Sequence, residues 1–249
     1  MCSDKKHAYL IMAHNNFSIL KTLIKLLDDS RNDIFIHIDK KVEKFDFDVY
    51  KSLCQYSPVY FSTRRIDVRW GRNSQIEAEM HLFSEAHSHR HYDYYHLISG
   101  VDLPLKTQDE IHAFFSEYSV SFIYYSKEIT RNEYERVSLL YHIPIESRLV
   151  RKAETPFHSL QRAIGINLFK KWEKKGYTVE KGPNWVSLTN EAVEALLSEQ
   201  DIIKKMTRFS HCADEEYKQI ILKKANVPIY RDKNGETSSL RFVDRKSVV

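Results

Sequence analysis

A chain of 249 residues, 42% hydrophobic and 12% aromatic, is long enough to bury a sizeable core, and six Gly and six Pro exclude collagen-like, linker-like and low-complexity chains. The 38 Lys+Arg and 34 Asp+Glu leave a net charge of +4, with the cations scattered among acids rather than gathered in one stripe, which argues against nucleic acid as a partner. Cys2, Cys54 and Cys212 are odd in number and unrelated in spacing, so neither a disulfide framework nor a zinc knuckle is read from them, and a reducing compartment is expected. The apolar run over 8–13 is far shorter than the roughly 20 residues of a membrane span, and no secretion signal is visible.

That run predicts a first strand closing on His14-Asn15-Asn16, after which Ile19, Leu20, Leu23, Ile24 and Leu27 recur at helical spacing. A second apolar strand over 34–38 closes on Asp39, and strand, helix, strand implies a parallel right-handed βαβ unit. The alternation continues with a helix over 47–54, a strand over 59–61, a long helix over 74–86, a strand over 94–98, a helix over 108–115 and a strand over 121–125. Signals weaken over 126–182, a stretch rich in Arg, Lys and Tyr where only helix pieces such as 155–164 stand out. Then follow a strand over 185–188, helices over 190–199 and 214–224, and short strands over 227–230 and 240–243. Without a repeat or a linker, one α/β domain is expected, its basic middle inserted around a cleft.

In an open parallel sheet ligands bind beyond the carboxyl ends of the strands. Candidates there are His14 to Asn16, Asp39 to Lys41, Ser99 to Asp102, and the Asp214-Glu215-Glu216 cluster. Each alone also reads as an ordinary polar turn, or as acids complementing a helix dipole. No G-x-G-x-x-G, P-loop or G-x-S-x-G occurs, so nucleotide phosphates would have to be met by Arg or Lys side chains. Asp46-Phe-Asp48 has a cation-binding spacing but lies in a charged approach to a helix, where a cap or solvated face competes. His87, His89 and His91, with His81, Asp93 and His96 nearby, lack a second ligand block and read as an exposed connection. No metal site is expected.

Taken together and in order, several pieces carry a resemblance: Ala8-Tyr-Leu-Ile-Met-Ala-His14, Ile36-His-Ile-Asp-Lys40, Trp70-Gly71 with Ser74-Gln75, Tyr95-His-Leu-Ile-Ser-Gly-Val-Asp-Leu-Pro-Leu-Lys106, Gly182-Pro-Asn-Trp185 with Leu188-Thr189, Asp214-Glu215 with Gln219, and Leu240-Arg241. The chain resembles the core-2/I-branching β-1,6-N-acetylglucosaminyltransferases, glycosyltransferase family 14, which include peptide O-xylosyltransferases. The resemblance implies a GT-A-like, Rossmann-type sheet flanked by helices, with residues 1–125 as the nucleotide-binding half and 126–249 as the acceptor-side and catalytic half. It implies inverting, metal-independent transfer of a sugar such as GlcNAc or xylose from a UDP-sugar to a hydroxyl of a glycan or lipid-linked glycan, with no cofactor.

Inversion by single displacement needs a carboxylate to take the acceptor's proton and cations to meet the leaving diphosphate. By resemblance Glu215 is that base and Asp214 orients or caps beside it, with Glu216 the neighbour that one helical step turns away. Ala13, His14 and Asp39 match positions that meet the nucleoside, Asp102 and Trp185 line the donor-sugar and acceptor pocket, and Asn184 joins Trp185 on the acceptor side. A core role for Trp185 is the alternative. Arg241 matches a phosphate-binding arginine. The lysine that family members supply further on has Arg245 or Lys246 in its place; otherwise the site is weak or inactive. Arg131, Arg136, Arg148, Arg151 and Lys152 are expected to favour an anionic or lipid-diphosphate acceptor. Lacking the membrane anchor and paired cysteines of secreted animal members, the chain is expected to be a bacterial cytoplasmic relative, with peripheral association at the inner face of the membrane and oligomeric state left open. The rival readings are a non-catalytic nucleotide- or glycan-binding relative and a metal-dependent retaining transferase using Asp46 and Asp48.

Overall fold

The computed structural model describes residues 5–141 and 148–242, without the side chains of 148–155. The chain runs β1 (His7–Ala13), α1 (Phe17–Leu26), β2 (Asn32–Ile38), α2 (Phe47–Lys51), β3 (Val59–Phe61), α3 (Asn73–His89), β4 (Tyr94–Ser99) and α4 (Gln108–Ser116). There follow α5 (Arg131–Ser138), α6 (Arg148–Ala163), α7 (Lys170–Glu173), β5 (Val186–Thr189), α8 (Asn190–Ser198), α9 (Gln200–Thr207), a 3-10 turn (Ala213–Glu215) and α10 (Tyr217–Lys224).

The sheet order is β3-β2-β1-β4-β5, a Rossmann-type, GT-A-like arrangement in which the first four strands are parallel and β5 is antiparallel to β4. Helices cover both faces, so β1 and β2 are buried along their whole length, and apolar residues follow one another without alternation over 8–13 and 34–36. Tyr9, Ile11 and Ala13 share one core with Leu20, Leu23 and Ile24 of α1. Ala8, Leu10 and Met12 point the other way, into the larger core with Leu82, Phe83 and Ala86 of α3.

Several expectations are corrected. The strands expected over 121–125 and 227–230 shrink to isolated bridges, Ser121 with Ile229 and Phe122 with Ser187. The reason is competition for donors: Tyr125 N–H bonds the Thr237 hydroxyl at 2.8 Å and Ser126 N–H the Lys181 carbonyl at 2.7 Å, so no ladder forms. Residues 240–242 are not a strand either, and Leu240 sits at φ 56°; Val243, Arg245 and Lys246 lie outside the described residues. The helix expected over 214–224 begins only at Tyr217, because Glu216 at φ −131° separates it from the 3-10 turn. A helical step of 100° therefore does not relate Glu215 to Glu216. The weakly patterned middle holds α5, whose Thr130 and Glu133 form a reciprocal cap, a T-x-x-E signal present in the sequence.

Candidate functional site

The carboxyl ends of β1, β2 and β4 are stitched together by backbone bonds. Asp39 N–H donates to the Ala13 carbonyl at 2.9 Å and Gly100 N–H to that of Met12 at 2.8 Å. A Cβ on Gly100 would come within 2.7 Å of the Ala13 Cβ, so the turn after β4 can lie this close only without a side chain. His14 is exposed at this edge. Asp39 is buried, its carboxylate accepting from Lys41 N–H at 2.8 Å and pairing with Lys41 Nζ at 3.2 Å, while Arg65 holds the Asp39 carbonyl at 2.7 Å. The Asp102 carboxylate turns back to accept from Ser99 N–H at 2.9 Å, fixing its own turn.

A second group forms where the loop before β5 meets the acidic turn. The register Leu97↔Val186 puts half-buried Trp185 at the carboxyl end of β4, against the larger core. Two residues earlier in the loop than Trp185's neighbour Asn184, Gly182 donates its N–H to the Glu215 carbonyl at 2.9 Å, and a Cβ there would lie 1.9 Å from the Tyr124 carbonyl oxygen. Asn184 is buried and locked between Glu79 and Lys218, at 2.7 Å and 2.5 Å. The Glu215 carboxylate meets Arg136 at 2.8 Å and Lys181 at 3.8 Å. Burial pushes Asp214 up to about 6, with the charge of Glu79 adding to the effect. Glu216 is fully buried with neither carboxylate oxygen hydrogen-bonded, and burial holds its carboxyl well above the usual range. Three consecutive acids thus occupy three electrostatic environments.

Arg241 belongs to a third place, a cavity of about 730 Å³ between α1, α4 and the sheet, lined among others by Tyr9, His96, Asp102, Phe115 and Ser187. Its Nη2 reaches the Val186 carbonyl at only 3.4 Å and its Nε has no partner; burial lowers its proton affinity, opposed by Asp102.

The structure therefore brings Ala13, His14 and Asp39 together, Asn184 and Trp185 with Asp214 and Glu215, and Asp102 with Arg241. Trp70, which the resemblance quotes without a role, is a 67% exposed indole edge-on to His211 at 5.3 Å, beside Gly71, whose carbonyl accepts from Cys212 N–H at 3.0 Å just before the acidic turn. Its signal was the Trp70-Gly71 pair itself. Of the basic residues expected to favour an anionic acceptor, Arg131 pairs with Glu135 at 2.8 Å and Arg136 with Glu215 at 2.8 Å, while the side chains of Arg148, Arg151 and Lys152 lie outside the described residues. Asp46 caps α2 by accepting from Val49 N–H, and Asp48 faces Lys51 at 3.8 Å. The α3 helix runs on through His87 and His89, so the connection starts at Arg90. Among the described residues no three His, Cys, Asp or Glu are placed to hold a metal ion.

Fold and site define a Rossmann-type α/β protein with a polar, acid-bearing edge beyond its parallel strands. The sequence profile of the Core-2/I-Branching enzyme family matches residues 7–244, and the chain belongs to that family of glycosyltransferases. Xylosyltransferase 1 of Rattus norvegicus is 22% identical over 210 residues, which cover 81% of this chain and 23% of that protein, so the chain spans less than a quarter of that relative. Among solved structures, apo mouse xyloside xylosyltransferase 1 is similar over 86% of this chain and 80% of that one, with 11% identity and a TM-score of 0.34.

Proposed function

We propose that the chain transfers a sugar, GlcNAc or xylose, from a uridine diphosphate donor to a hydroxyl of a glycan or lipid-linked glycan, with inversion and without a metal ion. The observation that carries this reading, in a chain of this family, is the acidic turn tied through Gly182 and Asn184 to the loop that presents Trp185. Ala13, His14 and Asp39 meet the nucleoside at the ends of β1 and β2. Asp102 and Trp185 border the donor sugar, the indole offering a flat face to the C–H side of a pyranose. Arg241, with an Nε lacking a partner, offers its guanidinium to the diphosphate. Glu215, accessible to solvent, takes the acceptor's proton as the hydroxyl attacks the anomeric carbon, while Arg136 orients the carboxylate. The enzyme works in the cytoplasm, peripheral to the inner face of the membrane when the acceptor is lipid-linked.

A second reading of the base is favoured by one observation. Burial, with the charge of Glu79 beside it, raises Asp214 to about 6, nearer the range that suits a general base at neutral pH. Calorimetric titration with UDP tests the donor class, and NMR of the anomeric proton after incubation with UDP-xylose or UDP-GlcNAc and a glycan acceptor tests inversion. No uridine nucleotide binding, or a product of retained configuration, would overturn the proposal.

A further inference from the structure

Glu79 lies mid-way along α3, fully buried among positions otherwise held by Ile76, Leu82, Phe83 and Ala86. A buried carboxylate is tolerated only when paired and hydrogen-bonded. Here one oxygen accepts from Gln75 Nε2 at 2.8 Å and Asn184 Nδ2 at 2.7 Å, the other from Tyr217 OH at 2.9 Å and Lys218 Nζ at 2.8 Å. Lys218, equally buried, directs its ammonium to Glu79, to Asn184 Oδ1 at 2.5 Å and to the Asp214 carbonyl at 3.0 Å. All three ammonium protons have partners, so the pair forms no ligand site. It joins three segments: α3, the loop entering β5, and the start of α10 with its acidic turn.

Packing alone does not call for this arrangement. A cation in the first turn of a helix opposes the dipole, and an apolar pair of similar volume commonly serves stability as well as a buried ion pair or better. What an apolar pair cannot do is grip a carbonyl. The Asp214 oxygen lies in the peptide plane shared by Asp214 and Glu215, so holding it fixes one of the two planes that set the direction in which each side chain leaves the backbone. Gly182 N–H, on the Glu215 carbonyl at 2.9 Å, fixes the next plane.

We propose that Glu79 and Lys218 are positioning residues that set the Asp214–Glu215 turn against the Asn184–Trp185 loop, an inference that rests on reading that turn as the transferase's catalytic centre. The test is the double variant E79L/K218M, which removes both charges at once, compared with each single variant. The singles leave an unpaired buried charge and melt below wild type, and the double regains much of that loss. In the folded double variant, amide exchange at Glu215 and Glu216, bonded to the Cys212 and Ala213 carbonyls, is expected to speed up about tenfold or more while β1 amides keep their protection. Its kcat is expected to fall about tenfold or more with the donor KM unchanged, since misplacement harms the reacting geometry and not donor binding.

Wild-type exchange at Glu215 and Glu216 together with wild-type kcat in the double variant would reduce the pair to a core ion pair and overturn the inference. If E79L/K218M does not fold, E79Q/K218Q, neutral yet hydrogen-bonding and too short to reach the Asp214 carbonyl, is judged by the same readouts. A wild-type chain that transfers no sugar would sink the transferase reading, while the exchange rates would still decide whether the pair sets the turn.

Discussion

Replacing His7 by Phe is expected to change the acid stability of the fold by a predictable amount. His7 is fully buried beneath α4, stacked on His112 at 4.0 Å and hydrogen-bonded to His96 at 3.1 Å, with its Nε2 lacking a partner. Burial first, and then the proximity of His112, hold its value down to about 2 against an ordinary 6.5. Because the folded value is depressed, the stability that neutral His7 contributes is whole above 6.5 and is lost as pH falls from there toward about 2, the unfolded chain taking up the proton that the fold refuses. At about pH 5 the loss covers one and a half pH units at about 1.4 kcal/mol each, or about 2 kcal/mol. Phe does not titrate. Lost hydrogen bonding and altered packing in His7→Phe offset the curve by a constant, but the variant should gain about 2 kcal/mol on wild type between about pH 7.5 and pH 5, about 4–8 °C in Tm for a chain of this size. Comparing the two proteins, rather than following wild type alone, removes the opposing contribution of Asp214 and Glu216, whose raised values favour the fold as pH falls. Urea unfolding of both proteins across this range is the assay. A stability difference independent of pH would show that His7 is charged in the fold and refute the reasoning.

Glu215→Gln should keep UDP binding while lowering turnover about a hundredfold or more, with Glu216→Gln as the matched control. If Asp214 is the base instead, Asp214→Asn carries that loss, and the acidic limb of the wild-type kcat profile has its midpoint near the value of about 6 rather than in the ordinary aspartate range, since activity appears as the carboxyl deprotonates. Gly182→Ala places a methyl 1.9 Å from the Tyr124 carbonyl oxygen and should destabilise the fold by about 1–3 kcal/mol in urea titrations, with donor turnover lost as the Glu215 carbonyl loses its partner. Turnover should survive a chelator, and Asp46→Asn should cost little beyond a weakened α2 cap; activity abolished by chelation and restored by manganese would restore the metal-dependent reading.

The amino-acid sequence by itself determined the framework. Strands covered by helices on both faces are rich in apolar residues, so β1, β2 and β4 stand out as short, mostly apolar runs, broken in β2 and β4 by the buried His37 and His96, and the polar residues that close them, His14, Asp39 and Asp102, mark the edge where ligands meet such a sheet. The order of those motifs also carried the family. The tertiary structure alone decided what each acid is. Glu79 has the look of a solvated helix position, yet its burial is made by Asn184 and Lys218, 105 and 139 residues away, and no local pattern encodes partners so distant. The same holds for the acidic turn: Asp214, Glu215 and Glu216 are chemically near-equivalent along the chain and differ in the fold because one lies buried near Glu79, one against Arg136, and one in the core with no partner. Proton affinity depends on solvent exclusion and on charges brought close in space, and both come into being only when the chain has folded.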